Sequence, residues 1–271
     1  MILIEEFAPF VPIYNLVWLL VAVPVGLWIN NKTRSDLICV ILSLLYMAIH
    51  AIVIQPPIEE WLVFIFAMIV GYLTDYWGVK SKKWKYHPWD PDFGYSGYVG
   101  LAWGILSMFT YNIGNYVDAN VEYLFLPGIL FIIPTIILEY RYGETRRDQY
   151  FLFARAIFTL LAFYNDLGLL FVACFVGSFI EWVGVYWLKN WLYIDTISFI
   201  FLSFGYSLII LTAKLVVDVI VGNAIPILVW VFFFLAFIFY GVDAFWEQKR
   251  VVKKYQLENS EKAVAAAERF N

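Results

Sequence analysis

Asp75 and Glu181 have the most chemistry to offer, because both are carboxylic acids set inside long apolar stretches, "GYLTDYWGV" and "GSFIEWVGV". An ionisable residue at membrane depth is costly and normally faces a cavity or a partner. Near a helix C-terminus the macrodipole adds a further penalty for a negative charge. A carboxyl held in such a place is equipped for general acid or base work. Two more acids, Glu59 and Glu60, open the first stretch, and Asp166 opens the second. Glu60 and Asp75 are fifteen residues apart, as are Asp166 and Glu181. That spacing is a rise of roughly 22 Å and a return to within about 60° of the same helix face. One stripe on each helix therefore carries an acid near either membrane surface. Glu60 and Asp166 also fit the simpler role of marking helix N-termini, where the dipole favours them.

Arg155 is the cation best placed to compensate Asp75 and Glu181, as a structural ion pair or as part of a site. Lys214 and Asp218 stand at i,i+4 and read as mutual neutralisation; a retinal-type Schiff base at Lys214 has no supporting pattern around it. His50 lies where it could join the outer acids as a proton carrier, and His87 falls in a loop beside Pro88. The two histidines give no metal-ligand spacing, so no metal site and no cofactor are expected. Cys39 and Cys174 both fall in apolar runs and read as small core residues, not as a disulfide.

The elements that must position these groups follow from composition. The 271 residues are 63% hydrophobic and 15% charged, with a mean hydropathy of +0.76, far from the balance of a soluble globular chain. Lipid is the expected solvent, and there every backbone N–H and C=O must be paired within the protein, which leaves helices or a closed barrel. The apolar runs reach about 20 residues without alternation, which selects helices. A net charge of -4 and dispersed basic residues exclude nucleic acid as a partner. The acidic start, Glu5 and Glu6, and the absence of a small-residue cleavage pattern speak against a removable signal peptide.

Nine spans are expected, at roughly 10–29, 37–54, 60–79, 95–114, 121–139, 150–165, 167–188, 196–221 and 225–247. The positive-inside rule orients them. Lys32 and Arg34, then Lys80, Lys82, Lys83 and Lys85, then Arg141, Arg146 and Arg147, then Lys189, and six more beyond Trp246 all fall on one side. Only Arg155 and Lys214 lie within spans. The N-terminus is thus expected outside and the C-terminus in the cytoplasm, with residues 1–247 forming one transmembrane domain and 248–271 a cytoplasmic tail.

"EWLVFIFAMIVGYLTDYWGV" from Glu60 matches "DLGLLFVACFVGSFIEWVGV" from Asp166 at a constant offset. The matches include the acid pairs Glu60/Asp166 and Asp75/Glu181 and the glycine pairs Gly71/Gly177 and Gly78/Gly184; after a one-residue insertion Trp84 and Tyr86 correspond to Trp191 and Tyr193. Two acid pairs in register inside spans indicate duplication. The matched spans run in the same direction, so the halves are expected to be parallel repeats related by an axis along the membrane normal. The expected fold class is an all-α polytopic membrane bundle with repeat one at about 37–114, a linker span at 121–139 and repeat two at about 150–221. Gly71 and Gly177, one turn before the inner acids, would let another helix approach the carboxyls closely.

Aromatic residues make up 21% of the chain. Interfacial belts and packing account for many of them. Trp77, Trp84, Trp103, Trp182 and Trp191 crowd the ends of the repeat spans where Asp75 and Glu181 lie, and aromatic faces there would suit a carbocation or a polyene chain. "PIEEWLVF", Pro57 to Phe64, and "DYWGVKSKKWKYHPWDPDFG", Asp75 to Gly94, echoed by "EWVGVYWLKNWLYID" from Glu181, resemble the lycopene cyclase-domain and carotenoid-hydratase membrane families. The resemblance implies an acid-initiated reaction in which a carboxylic acid protonates an isoprenoid double bond and the cation closes to a ring or captures water, with neither metal nor redox cofactor. It places Glu59 and Glu60 at the paired acids of those families.

The leading expectation is therefore an intramembrane enzyme of cyclase or hydratase type on an apolar isoprenoid or similar lipid. Its acid/base candidates are Asp75 and Glu181, with Glu60 and Glu59 behind them, and its substrate-side candidates are Arg155 and the five tryptophans. Two alternatives stand beside it: a proton-coupled transporter of small solutes or lipids built on parallel repeats, and a non-catalytic membrane subunit whose acids set helix packing in an oligomer.

Overall fold

The structure is a computed structural model that describes residues 11–81, 84–87, 96–120, 146–164, 166–193 and 199–242. Within these residues the chain forms eight helices and two short strands. Helix α1 covers 11–33 and α2 covers Leu37–Ile54. Helix α3 is Ile58–Lys80, strand β1 is Trp84–Tyr86 and α4 is Val99–Asn120. Then come α5, Arg146–Ala162, α6, Leu167–Trp187, strand β2, Trp191–Tyr193, α7, Phe199–Val221, and α8, Ile227–Val242. The expected span at 121–139 and the tail at 248–271 lie outside the described residues.

Among the described residues four helices are long and apolar enough to cross a membrane: Ile13–Thr33, Leu37–Ile54, Ile58–Lys80 and Leu167–Trp187. Their outward faces agree with a lipid surround. Val17, Leu20, Val21, Leu37, Ile41, Leu44, Ile52, Ile65 and Leu73 are all exposed large apolar side chains, more contiguous apolar surface than a water-soluble monomer carries. Burial separates centre from rim: 67% of the apolar window of α6 is buried inside the protein, against 22% for α2.

The centre is a group of four helices. Helix α3 packs on α4 and α6 packs on α7, while α4 also meets α6 and α3 meets α7. Helices α1 and α2 flank α4, and α5 lies against α7. Apolar residues of α5, α6, α7 and α8, among them Ala156, Leu170, Leu211 and Phe233, form a second core beside the main one. Strands β1 and β2 join the two halves of the chain as an antiparallel pair, with Trp84 opposite Tyr193, Lys85 opposite Leu192 and Tyr86 opposite Trp191. The ladder is extended by the His87 amide, which donates to the Asn190 carbonyl at 3.1 Å.

Helix α4 extends beyond the expected span at its C-terminal end. The expected span is roughly 95–114, and the helix runs from Val99 to Asn120. Near that end the Asp118 carboxylate accepts from the Gly168 and Leu169 amides at 2.7 and 3.2 Å. It supplies from a neighbouring helix the cap that the first turn of α6 requires, while Asn115 and Asp118 remain exposed.

Two glycines seat the strands. A Cβ on Gly78 would collide with the Trp84 indole, and one on Gly184 with the Trp191 indole. Gly78→Ala and Gly184→Ala should each lower stability by about 1–3 kcal/mol through overpacking. Thermal denaturation in detergent checks this, and pairing Gly78→Ala with Trp84→Phe should recover part of the loss.

Candidate functional site

Asp75 lies on the last turns of α3 and Glu181 at the point where α6 widens into a π-helical segment, Trp182–Trp187. Both carboxyls are buried. Tyr86 Oη donates to Asp75 Oδ1 at 2.8 Å, and Trp103 Nε1 donates to Asp75 Oδ2. Trp191 Nε1 donates to Glu181 Oε2 at 3.0 Å, and Tyr206 Oη donates to Glu181 Oε1 at 3.0 Å. Each acid thus accepts one hydrogen bond from its strand and one from the helix that follows, and in each case one donor is an indole and the other a phenol.

The two sets of donors meet. The Trp103 and Tyr206 ring centroids are 4.4 Å apart, and those of Tyr86 and Trp191 are 6.0 Å apart. Asp75 and Glu181 are therefore linked through two aromatic contacts across the centre of the bundle. Gly71 and Gly177 make the approach possible: a Cβ on Gly71 would strike the Trp103 ring, and one on Gly177 would lie 2.9 Å from Tyr206 Cγ.

The other candidates distribute as follows. Trp84 and Trp191 are buried on their glycines and Trp103 is buried against Asp75. Trp77 is half-buried, and Trp182 lies on the outer surface, 49% exposed and in contact with Trp187 at 5.8 Å between centroids. Arg155 is buried on α5 with its guanidinium carbon 5.6 Å from the Tyr240 ring centroid. Glu59 is half-buried in the first turn of α3. Tyr86 and Tyr206 are donors that sequence reasoning did not single out as site residues; Tyr86 belongs to a matched pair in the repeat, whereas Tyr206 is one aromatic among many on its helix.

A second polar group forms at the other end of α3. Tyr46 Oη donates to Asn15 Oδ1 at 2.9 Å, Asn15 Nδ2 donates to Asn112 Oδ1 at 3.0 Å, and Asn112 Nδ2 donates to Glu60 Oε1 at 3.2 Å. His50 Nε2 lies 3.3 Å from Glu60 Oε2. The donors all point along the chain toward Glu60, and Tyr46, Asn15, His50 and Glu60 are buried. In the second half, Lys214 Nζ is 2.7 Å from Asp218 Oδ2 and 3.5 Å from Asp166 Oδ2. The i,i+4 pair is present and includes a third member, Asp166.

The strand end is secured by a polar girdle outside the helices. Asp36, between α1 and α2, accepts from Asn30 Nδ2, Ser96 Oγ and the Gly97 amide at 2.9 Å each and pairs with His87 Nε2 at 3.1 Å. Asn190 Nδ2 donates to Asn30 Oδ1 at 2.7 Å and to the Leu27 carbonyl at 3.0 Å, tying β2 to α1. Burial works to raise the Asp36 pKa, but the hydrogen bonds from His87, Gly97 and Ser96 outweigh it and bring it from 3.8 to about 2.

Among the described residues no group of three or more His, Cys, Asp or Glu side chains gathers as metal ligands would. A scan against protein-family models, a search of curated proteins and a search of solved structures each found no match to this chain.

Tyr86→Phe and Tyr206→Phe each remove one hydroxyl and leave a buried carboxyl oxygen without its phenol donor, so each should cost about 1–3 kcal/mol. Tyr164→Phe, at an exposed ring, should stay within about 0.5 kcal/mol; melting temperatures in detergent compare the three. Asp36 predicts an acid limb. Its folded pKa lies below its ordinary value of 3.8, so its contribution to stability is complete above that value and is lost as pH falls through about 2. Asp36→Asn should flatten stability against pH across that window, as read from melting curves at stepped pH.

Proposed function

We propose that this chain is an intramembrane enzyme that acts on an isoprenoid or carotenoid-like apolar lipid, with Asp75 and Glu181 as its acid/base pair. The observation that carries this reading is the enclosure of both carboxyls by indole and phenol groups whose rings touch across the bundle centre. In the step proposed, a carboxylic acid delivers its proton to one carbon of a C=C bond. The π pair forms the new C–H bond and the adjacent carbon becomes a cation. Ring closure with return of a proton to the carboxylate, or addition of water with loss of a proton, restores neutrality. The negative faces of Trp103, Tyr206, Tyr86 and Trp191 suit the cationic stage. The resemblance of the Pro57 and Asp75 segments to lycopene cyclase-domain and carotenoid-hydratase families points the same way.

The reading includes nine spans, an outside N-terminus, a cytoplasmic C-terminus and two parallel repeats. Several observations support the repeats. Exchanging α3 with α6 and α4 with α7 converts the α4–α6 packing into the α7–α3 packing. Exchanging α2 with α5 as well converts the α2–α4 contact into the α5–α7 contact. The β1–β2 register is symmetric about Lys85 and Leu192.

A proton-coupled transporter is the second reading. It is favoured by the buried Tyr46–Asn15–Asn112–Glu60–His50 chain, which gives the α3 stripe a polar group at each end; it calls for solute flux in proteoliposomes that follows an imposed pH gradient.

For the enzyme, membranes containing the protein are supplied with an acyclic polyene and products are resolved chromatographically. Asp75→Asn and Glu181→Gln should each reduce turnover by about 10²-fold or more. Unchanged turnover in both variants removes the assignment.

A further inference from the structure

An apolar cavity of about 90 Å³ lies beside the acid site, between α1, α2 and α4. Neither Asp75 nor Glu181 lines it, yet it is tied to both polar groups of the bundle. At one end stands Trp191, whose indole donates to Glu181. At the other stands Tyr46, whose hydroxyl donates to Asn15 and so begins the chain to Glu60.

Its shape restricts what it can hold. On α1 the lining runs from Trp18 to Leu27, roughly 14 Å at the helical rise, or about half the hydrocarbon thickness of a bilayer. So small a volume over that length admits one chain in single file and no fused ring system. The deep wall, including Phe109 and Tyr46, is buried, whereas Trp18, Leu42 and Ser43 are only half-buried. The cavity therefore opens at the seam between α1 and α2, whose outer faces carry the exposed Val21 and Leu44. On α1 the mouth coincides with the π-helical segment Trp18–Ala22, a local widening of the kind frequent at functional sites.

We propose that this cavity is the binding site for one polyunsaturated hydrocarbon chain, which enters from lipid between α1 and α2 and lies with its end against Trp191. Aromatic rings stand at both ends, Tyr98 and Trp191 at one and Trp18, Tyr46 and Phe109 at the other, and their faces favour a chain carrying double bonds over a saturated one. The inference rests on the enzyme reading for the chain's fate at Glu181, but not for its binding.

The test uses the full-length protein in nanodiscs and a geranylgeranyl chain carrying a diazirine, with labelled peptides mapped by mass spectrometry. Labelling should fall on α1, α2 and α4 around the cavity. Ala102→Phe, which fills its middle, and Ser43→Phe, which plugs its mouth, should each reduce labelling about tenfold or more, the loss of roughly 1.4 kcal/mol of binding free energy or above. Val21→Phe, on the lipid face, should leave it unchanged and controls for added bulk on α1. An unlabelled polyprenyl chain should compete better than a saturated acyl chain of equal length. Labelling that persists in both filled variants overturns the site, and equal competition by the saturated chain overturns its assignment to a polyene. Asp75→Asn and Glu181→Gln separate this from the enzyme reading: they should leave labelling intact, so binding without turnover defects sinks the catalytic assignment alone, and turnover defects without cavity labelling sink the site alone.

Discussion

A carboxyl buried among apolar side chains has no water to hydrogen-bond with, and any group it accepts from must be brought to it by the fold. That constraint governs the centre of this protein. Asp75 and Glu181 sit late on their helices, where the dipole does not help them, and the fold answers with Tyr86, Trp103, Trp191 and Tyr206. Placing those donors requires a strand to fold back onto the end of each long helix and a following helix to pass within ring contact of it. The glycines at 71, 78, 177 and 184 remove the side chains that would prevent it. Much of the middle of the structure is thus the apparatus for satisfying two buried acids.

The choice of donor matters to chemistry. Indole and phenol groups are neutral, so they can hold a carboxyl in place without fixing its charge as a guanidinium would. They also present apolar faces on every side other than the one that donates. An acid held this way is surrounded by apolar ring faces. The Glu60 end is built differently, with two amides and an imidazole, groups suited to polar contacts. The stripe on α3 therefore joins two environments of contrasting character.

How far the sequence disclosed this varies with the residue. The limits of α2 could be read directly, because Asp36 and the Pro56–Pro57 pair bracket an uninterrupted apolar run. Asp75 and Glu181 stood out through their matched surroundings, and Trp84 and Trp191 came with them. At the end of α4 Asp118 is exposed, as its type suggests, but its capping of Gly168 and Leu169 could not be read; a hydropathy pattern has no means of registering a cap supplied by another helix. Tyr206 was hidden for a related reason. The connection from β2 to Tyr206 is shorter than that from β1 to Trp103, so the correspondence of the two rings appears only when the helices are laid over the glycines they cover. Asn15 and Tyr46 are likewise ordinary residues of apolar helices until Asn112 joins them to Glu60.

The pairing of Lys85 with Leu192 has a consequence for how such a bundle could arise. Under the duplication proposed above, these two positions lie on the rotation axis, where a symmetric pair of identical half-proteins would set each side chain opposite its own twin. Two lysines there would face one another across an antiparallel ladder, an arrangement that like charge destabilises. Fusion of the halves into one gene would free the axis from that rule: one copy can keep a cation while the other sets a leucine opposite it. The seam is the place where a single chain could first depart from its ancestor's symmetry at little cost, and the unlike ring pair Trp103 and Tyr206 marks a second such departure nearer the acids.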